Sequence, residues 1–446
     1  MNWLQEKFSK NPNRIALIYN FKYYTYLDLE RKIKWFNNFL DSNRIVPGDS
    51  VLLISNFSFN AVALLLSLAD RGNIVAPAEL NNAVDIKKIA QESYADHIIQ
   101  FNNEKPVIIS LKCKNKHTLI ERLRKNNKAG LILFSSGTTG EPKVMLHDFT
   151  ELIESYRNEK IKNINSLIIL GFDHIGGIDS LFRLLSICAT ITLAKQRNPF
   201  YICELIEKHK VDVLPASPTF LNLLIISEAY KQYNLSSLKI IGFGAEPMPE
   251  ALLSKIRQNF PSVQIQQKFG TTETNAIKIF NKTGDEQYFK INDDNVDYKI
   301  VNNELWLKSK NNIMGYLNID TQLFHDGFIN TGDLVDLRED GFIKILGRKK
   351  DVINVGGEKV LPTEVENVLM EFPGIIDCKV YGIPNLITGN IVGADIVLKD
   401  GTTYSIKSEI RNFCKSRLPN YKVPVKFIIV DLIQLSNRQK KIRNKN

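Results

Sequence analysis

The chain has 446 residues, 44% of them hydrophobic, which is long enough for two or three domains with their own cores. The formal charge of +10 comes from dispersed lysines without a nucleic-acid-binding motif, so we expect no nucleic acid as a partner. The five cysteines lack CxxC spacing and no apolar run approaches the roughly 20 residues that span a bilayer, which argues against a zinc site, a disulfide scaffold and a transmembrane segment and favours a cytoplasmic protein.

Strands and helices alternate along the first part of the chain. The pattern predicts a strand at 49–55, a helix at 60–72, a strand at 73–80, a helix at 85–93 and a strand at 95–101. The same alternation recurs between residues 166 and 247. It predicts sheets covered by helices on both faces, with ligands at the carboxyl ends of the strands.

The pattern changes after about residue 285. Brief strands separated by Asp-Gly turns predict a small β section, and from residue 348 onward the chain becomes α+β. The fold class is therefore α/β: a large N-terminal domain of layered α/β sheets plus a small β section, residues 1–348, and a small α+β C-terminal domain, residues 349–446. A short hinge near 346–352 joins the two.

One stretch carries chemistry by its composition. "FSSGTTGEPK", residues 134–143, follows an apolar run and combines hydroxyls, glycines and a lysine on one turn. Such a turn lets backbone N–H groups and a cation converge on phosphate oxygens. The spacing does not match the Walker A pattern, and alone it is a structural turn about as often as a ligand site.

Further short motifs follow in order. They are "GFGAEP" (242–247), "FGTTE" (269–273), "NTGD" (330–333), "GRKKD" (347–351), "VGGEKVLPTEVE" (355–366), "YKVP" (421–424) and "QKKIR" (439–443). Together with "SSGTTGEPK", the series resembles the adenylate-forming superfamily of acyl-CoA synthetases, non-ribosomal peptide synthetase adenylation domains and luciferase. It is most similar to the AMP-binding acyl-CoA ligases, over essentially the whole chain.

The resemblance implies an enzyme that joins a small carboxylic acid to ATP, releases pyrophosphate and passes the acyl group from the adenylate to a thiol. The implied cofactors are ATP, Mg²⁺ and coenzyme A, or the phosphopantetheine of a free-standing acyl carrier protein. A carboxylate must approach an electron-rich phosphate, so the site has to supply positive charge and positioning.

The resemblance also assigns residues to the nucleotide. The loop for the β- and γ-phosphates comprises Ser135, Ser136, Gly137, Thr138, Thr139, Gly140 and Lys143. Thr272 is implied to contact the α-phosphate and Glu273 to hold Mg²⁺. The other implied nucleotide contacts are Gly244, Ala245, Glu246 and Phe269 around adenine, Gly270 and Thr271 beside them in "FGTTE", and Asp333 with Arg348 at the ribose.

The last part of the chain is implied to move. Lys441 matches the lysine that reaches from a mobile C-terminal domain to the substrate carboxylate and the α-phosphate, and it serves adenylation only. Lys350 matches the hinge, and the loop that lines the thiol tunnel comprises Gly356, Gly357, Glu358 and Lys359. An ordinary basic tail is the alternative for Lys441.

The substrate stays open. His174 in "GFDHIGGIDS" fits the acyl-pocket wording of CoA ligases, whereas a one-residue shift to Asp173 would indicate an amino-acid activator. Thr219 and Phe220 would add to the pocket wall. Val144 and Lys440 stand where the family usually has glycine, which leaves a catalytically decayed nucleotide-binding scaffold as an alternative. A stand-alone amino-acid or aryl-acid adenylation enzyme is another, and fatty, aryl and amino acids all remain candidate substrates.

Overall fold

A computed structural model describes residues 1–79, 86–111, 116–135, 142–282, 284–319, 324–399, 406–435 and 441. Within these ranges, none of the helices has the length and apolar character needed to cross a membrane.

The helices of the described ranges are α1 (Asn2–Ser9), α2 (Tyr26–Ser42), α3 (Phe59–Asp70), α4 (Ile86–Glu92), α5 (Thr118–Lys125), α6 (Phe149–Glu154), α7 (Ile175–Ser186), α8 (Pro199–His209), α9 (Pro218–Ser227), α10 (Glu250–Asn259), α11 (Pro362–Glu371) and α12 (Ile406–Lys415). The strands are β1 (Ile15–Tyr19), β2 (Lys22–Thr25), β3 (Ser50–Ile54), β4 (Ile74–Ala78), β5 (His97–Asn102), β6 (Lys105–Ser110), β7 (Gly130–Ser135), β8 (Lys143–Asp148), β9 (Asn165–Ile168), β10 (Thr190–Leu193), β11 (Val213–Ala216), β12 (Ile240–Phe243), β13 (Gln264–Gln267), β14 (Phe269–Thr271), β15 (Asn275–Ile277), β16 (Ile279–Asn281), β17 (Tyr288–Ile291), β18 (Val296–Val301), β19 (Glu304–Ser309), β20 (Gly315–Tyr316), β21 (Ile329–Leu337), β22 (Ile343–Arg348), β23 (Ile353–Val355), β24 (Glu358–Val360), β25 (Ile375–Asn385), β26 (Gly389–Leu398) and β27 (Lys426–Ile429).

Two seven-stranded sheets form the larger part of the molecule. The first has the order β13-β12-β11-β9-β10-β1-β2, and it is parallel from β13 to β1 with an antiparallel edge at β2. The second has the order β20-β8-β7-β4-β3-β5-β6, with a parallel centre and antiparallel outer strands. Parallel strands need helical crossovers, which explains the alternating pattern of the sequence.

The main core lies between these two sheets. One apolar cluster joins residues of β1 and β10 from the first sheet to residues of β3 and β7 from the second, through α3 and α7. Every residue of α3 from Ala61 to Ala69 is buried, because this helix is apolar on all sides. The arrangement is the layered α/β architecture that the sequence predicts.

Two smaller sheets and the two-stranded pair β14-β15 complete the described fold. An antiparallel sheet of order β16-β17-β22-β21-β19-β18 forms the expected β section and begins slightly earlier, at Ile279. The last sheet has the order β24-β23-β26-β25, with β27 parallel to β26, and α11 and α12 pack on it. The predicted fold class is confirmed. The boundary at 348/349 stays a prediction.

Candidate active site

The predicted phosphate loop is flanked by two paired strands. Ser135, the last residue of β7, is the register partner of Lys143, the first residue of β8. The predictions for Ser136, Gly137, Thr138, Thr139 and Gly140 lie outside the described residues. Val144 follows in β8, fully buried, and its N–H donates to Asn318 Oδ1 at 3.0 Å. A valine therefore fits this position, which is an extended core strand.

Lys143 and Glu273 both contact the side chain of Tyr316. The Lys143 Nζ lies 5.1 Å from the centroid of the Tyr316 ring, and the Tyr316 hydroxyl donates to Glu273 Oε1 at 3.2 Å. Burial, and secondly the Glu273 carboxylate, raise the pKa of Tyr316, so its hydroxyl stays a donor. Tyr316 was not among the residues identified from the sequence.

Thr272 and Glu273 sit at the tip of a hairpin. The strands β14 and β15 pair Thr271 with Asn275, which leaves a three-residue loop between them. The Thr271 and Thr274 hydroxyls lie 2.9 Å apart, and the Thr274 N–H donates to Thr271 Oγ1 at 3.1 Å. These bonds fix the hairpin that carries the predicted α-phosphate and metal contacts.

Gly270 permits the close approach of the two hairpin strands. A Cβ at this position would lie 2.5 Å from the Asn275 carbonyl oxygen, a distance that real Cβ atoms essentially never show. A side chain at position 270 would therefore displace the strand that follows Glu273. The glycine of "FGTTE" has this steric reason in addition to its predicted contact with the nucleotide.

The predicted adenine contacts lie at the carboxyl ends of two neighbouring parallel strands, β12 and β13. A Cβ on Gly244 would lie 2.6 Å from the Lys268 carbonyl oxygen, so the two loops touch. Ala245 has a φ of +71°, and Glu246 Oε2 accepts a hydrogen bond from Thr219 Oγ1 at 2.6 Å. The Phe269 ring lies 5.0 Å from the Phe289 ring. This edge is where open parallel sheets bind ligands.

The two predicted ribose contacts are paired with each other. Asp333 and Arg348 are register partners on β21 and β22, and Arg348 Nε lies 2.8 Å from Asp333 Oδ1. Arg348 also donates to the Thr331 carbonyl at 2.7 Å. Phe269 packs on the apolar cluster that includes Val335 of β21, so the adenine and ribose candidates share one support.

His174 is the N-cap of α7. Its Nδ1 accepts from the Gly176 N–H at 3.0 Å, which satisfies one donor of the first helical turn. A Cβ on Gly177 would lie 2.1 Å from the Gly171 carbonyl oxygen, so this helix start packs tightly on the segment before it. Phe220, predicted to wall the acyl pocket, is 1% exposed and lies inside an apolar core cluster.

A charged pair that the sequence did not reveal holds the segment before His174. Glu79 Oε1 accepts from the Phe172 N–H at 2.6 Å, and Glu79 Oε2 lies 3.0 Å from Arg197 Nη2. Arg197 Nε donates to the Ile169 carbonyl at 2.8 Å. Glu79 directly follows β4 in the second sheet, whereas residues 169–172 follow β9 in the first, so the pair connects the two sheets beside the segment predicted to bind the acid.

The predicted hinge and thiol-tunnel loop are short turns. Lys350 lies in the 3-10 turn Lys349–Asp351 after β22. Gly356 and Gly357 have φ values of +58° and +92° between the paired residues Val355 and Glu358. Two successive residues at positive φ form the tight hairpin turn that favours glycine.

Lys441 pairs with the C-terminal sheet. Its Nζ lies 2.7 Å from Asp377 Oδ1 and donates to the Cys378 carbonyl at 2.6 Å. Burial alone would lower the pKa of Lys441, but the carboxylates of Asp377 and Glu366 outweigh burial and raise it above the ordinary value of 10.5. The side-chain contacts described for Lys441 are to β25, not to Glu273. Its role in adenylation stays a prediction, and Lys440 lies outside the described residues.

The groups present fit a nucleotide and a hard cation. The Lys143 ammonium has the charge that suits phosphate, and the Glu273 carboxylate has the charge that suits Mg²⁺. The Asp333–Arg348 pair offers a hydrogen-bond acceptor and donors for ribose hydroxyls. Among the residues that the structure describes, no cluster of three or more His, Cys, Asp or Glu side chains could hold a metal alone.

Known sequences resemble this chain along most of its length. A 2-succinylbenzoate–CoA ligase of Bacillus subtilis (strain 168) is 26% identical over 484 residues, covering 99% of this chain and 96% of the relative. The 4-coumarate–CoA ligase-like protein 2 of Arabidopsis thaliana is 28% identical, over 84% of this chain and 69% of the relative.

Solved structures share the fold. The anthranilate CoA ligase AuaEII in complex with anthranoyl-AMP has a TM-score of 0.86 at 20% identity, over 99% of this chain and 95% of that one. The o-succinylbenzoate CoA synthetase of Bacillus subtilis in complex with ATP and magnesium has a TM-score of 0.77 at 23% identity, over 100% and 98%. Residues 4–319 match the sequence model of the AMP-binding enzyme, and residues 364–440 match that of the AMP-binding enzyme C-terminal domain. The chain therefore belongs to the AMP-binding enzyme family, as its motifs predict.

Proposed function

We propose that the chain is an ATP-dependent ligase that activates a carboxylic acid bearing an aromatic ring and transfers the acyl group to coenzyme A. The acid class rests on the relatives, which are named for 2-succinylbenzoate and 4-coumarate, and on the fold shared with an anthranilate ligase. The observation that carries the reaction is the meeting of Lys143 and Glu273 at Tyr316.

In the first step, a carboxylate oxygen of the acid attacks the α-phosphorus of ATP, and the bond to the β-phosphate oxygen breaks. Lys143 and the loop before it neutralise the departing pyrophosphate, and Thr272 at the hairpin tip orients the α-phosphate. Asp333 and Arg348 hold the ribose so that the attack is in line. Mg²⁺, when bound at Glu273, would supply positive charge that offsets the negative charge of the phosphates.

Lys441 supplies the remaining positive charge for this step. To do so it must leave Asp377, since its described side-chain contacts are within the C-terminal sheet. The thiol then attacks the acyl carbon of the adenylate, and AMP leaves with the electron pair of the broken bond. Gly356 and Gly357 present a turn without side chains, which suits the close passage of the pantetheine chain.

Pyrophosphate exchange tests the first step. Purified protein is incubated with ATP, Mg²⁺ and labelled pyrophosphate, together with 2-succinylbenzoate, 4-coumarate, anthranilate, a series of fatty acids or a series of amino acids. We expect label in ATP only with aromatic acids. Exchange restricted to fatty or amino acids would overturn the aromatic class, and no exchange with any acid would overturn the activity and favour a decayed scaffold.

The acceptor is tested with the acid that supports exchange. Coenzyme A is compared with a phosphopantetheinylated acyl carrier protein, and thioester is measured directly. We expect product with coenzyme A. Thioester on the carrier alone would replace coenzyme A as the acceptor. Because ATP and coenzyme A are supplied in the cytoplasm, we place the reaction there.

A further inference from the structure

A buried tyrosine lies between the acid-binding helix and the hairpin of Glu273. Tyr156 follows α6 and is 4% exposed. Its hydroxyl donates to Asp179 Oδ1 on α7 at 2.6 Å, a bond that is short because its acceptor is a carboxylate. Arg183, one turn further along α7, lies 3.4 Å from the same oxygen and covers the Tyr156 ring. Tyr156 is therefore held on its α7 side by a charged group.

The other side of the hydroxyl faces the hairpin. Asn275 Nδ2 donates to Tyr156 Oη at 3.4 Å. Asn275 has a φ of +66° and is the residue at which the three-residue loop rejoins β15. A residue in this left-handed conformation is the usual closing residue of such a loop. Its position therefore sets where Thr272 and Glu273 stand.

The backbone of Asn275 pairs with Thr271, and its carbonyl oxygen accepts a 3.5 Å hydrogen bond from the Thr274 hydroxyl, whereas its side-chain amide has one described partner, Tyr156. Asn275 is 2% exposed, and among the described residues its Oδ1 has no hydrogen-bond partner. Its carbonyl oxygen rests against Gly270, where no side chain can intervene. The hydroxyl of Tyr156 is thus the side-chain contact that orients this amide.

We propose that Tyr156 is a positioning residue for adenylate formation: its hydroxyl ties α7, whose N-cap is His174, to the hairpin that presents Thr272 and Glu273. The inference rests on the proposed function and adds to it the residue that fixes the position of the acid-binding helix α7 relative to the hairpin of Thr272 and Glu273. Burial, and next Asp179, raise the pKa of Tyr156 well above its ordinary value, so the hydroxyl keeps its proton at neutral pH.

The test compares two buried hydroxyls. Tyr156→Phe removes the link, and Tyr26→Phe is its matched control, because Tyr26 is fully buried and its hydroxyl donates to the Ala189 carbonyl at 2.8 Å, with no described contact to the hairpin. For Tyr156→Phe we expect kcat of pyrophosphate exchange to fall about tenfold, since small displacements of positioned groups cost one to two orders of magnitude. KM for ATP and the rate of thioester formation from supplied acyl-adenylate should both stay within about twofold of wild type.

A second variant distinguishes an effect on the position of the hairpin from an effect on folding of the protein. Asn275→Gly retains the left-handed backbone and removes the amide, so it should lower exchange to the same extent as Tyr156→Phe. The double variant should be no worse than either single variant, because both remove one link. If the losses of exchange activity add up in the double variant, the proposal is overturned. It is also overturned if Tyr156→Phe slows adenylate formation and thioester formation together, as Tyr26→Phe does. Wild-type protein inactive with every acid would overturn the proposed function, and this inference with it.

Discussion

Replacing Asp377 with asparagine is expected to destabilise the folded chain and to speed adenylate formation. Asparagine keeps an oxygen 2.7 Å from the Lys441 Nζ, and the Cys378 carbonyl remains, but the carboxylate charge is lost. Hydrogen bonds to charged groups are worth about 1 kcal/mol more than neutral ones, and Lys441 becomes a poorly compensated buried cation. We therefore expect a loss of about 1–2 kcal/mol of stability, which corresponds to release of Lys441 that is about 5- to 30-fold easier.

The two effects are measured on the same protein. Urea unfolding gives the stability, and pyrophosphate exchange gives the rate, which should rise by up to the same factor because the proposed mechanism requires Lys441 to leave Asp377. Asp395→Asn is the control: it breaks the buried Lys379–Asp395 pair of the same sheet, 2.9 Å apart, which involves no predicted catalytic group. A fall in exchange for Asp377→Asn that matches Asp395→Asn would refute the reasoning.

The pH dependence of this pair has a definite sign. The folded-state pKa of Lys441 is raised above 10.5, so the pair stabilises the fold fully below that pH and loses its effect only as pH rises through the folded value. The stability difference between wild type and Asp377→Asn should therefore be constant from about pH 6 to about pH 9 and should shrink in stronger alkali. A difference that shrinks between those two values would contradict the assignment.

Three further predictions follow from contacts of the site. Gly177→Ala places a Cβ 2.1 Å from the Gly171 carbonyl oxygen, so we expect a stability loss of about 1–3 kcal/mol and a larger rise in KM for the acid than for ATP, both seen in unfolding and exchange assays. Tyr316→Phe removes the donor to Glu273, and exchange should require several-fold more Mg²⁺ at unchanged KM for the acid; an unchanged Mg²⁺ requirement would separate Tyr316 from the metal. Burial lowers the pKa of His147 to about 4, so its protonation below pH 6.5 favours the unfolded state. Wild type should therefore lose stability between neutral pH and pH 4.5. In urea titrations, His147→Leu should lose up to about 2 kcal/mol less over this range.

Local patterns predicted the fold and the turns of the site. The apolar runs followed by glycine-rich turns gave the parallel strands, and "VGGEK" proved to be a tight turn because two glycines take positive φ. Asp333 and Arg348 were both assigned to the ribose by resemblance, and the antiparallel pairing of β21 with β22 brings them together. Such features depend on residues close together in the chain, which is why sequence alone reaches them.

Contacts between distant segments were not predictable in this way. Tyr316 meets Lys143 because β20 pairs with β8, and Glu79 meets Arg197 because two sheets face each other. The hydrophobic periodicity of the sequence indicates neither contact. Lys441 was predicted as a group for the phosphate, and its contact with Asp377 belongs to one arrangement of the C-terminal sheet, which the letters around Lys441 do not encode.

Magnesium-dependent pyrophosphate exchange by Glu273→Gln tests the central claim most directly. The amide preserves an acceptor for the Tyr316 hydroxyl and removes the charge that would hold the metal. Loss of a preorganised electrostatic contact costs about 10²- to 10³-fold in turnover, so we expect exchange to fall by that factor while urea unfolding stays within about 0.5 kcal/mol of wild type. Wild-type exchange in the Glu273→Gln protein would contradict a phosphate and metal site at this hairpin.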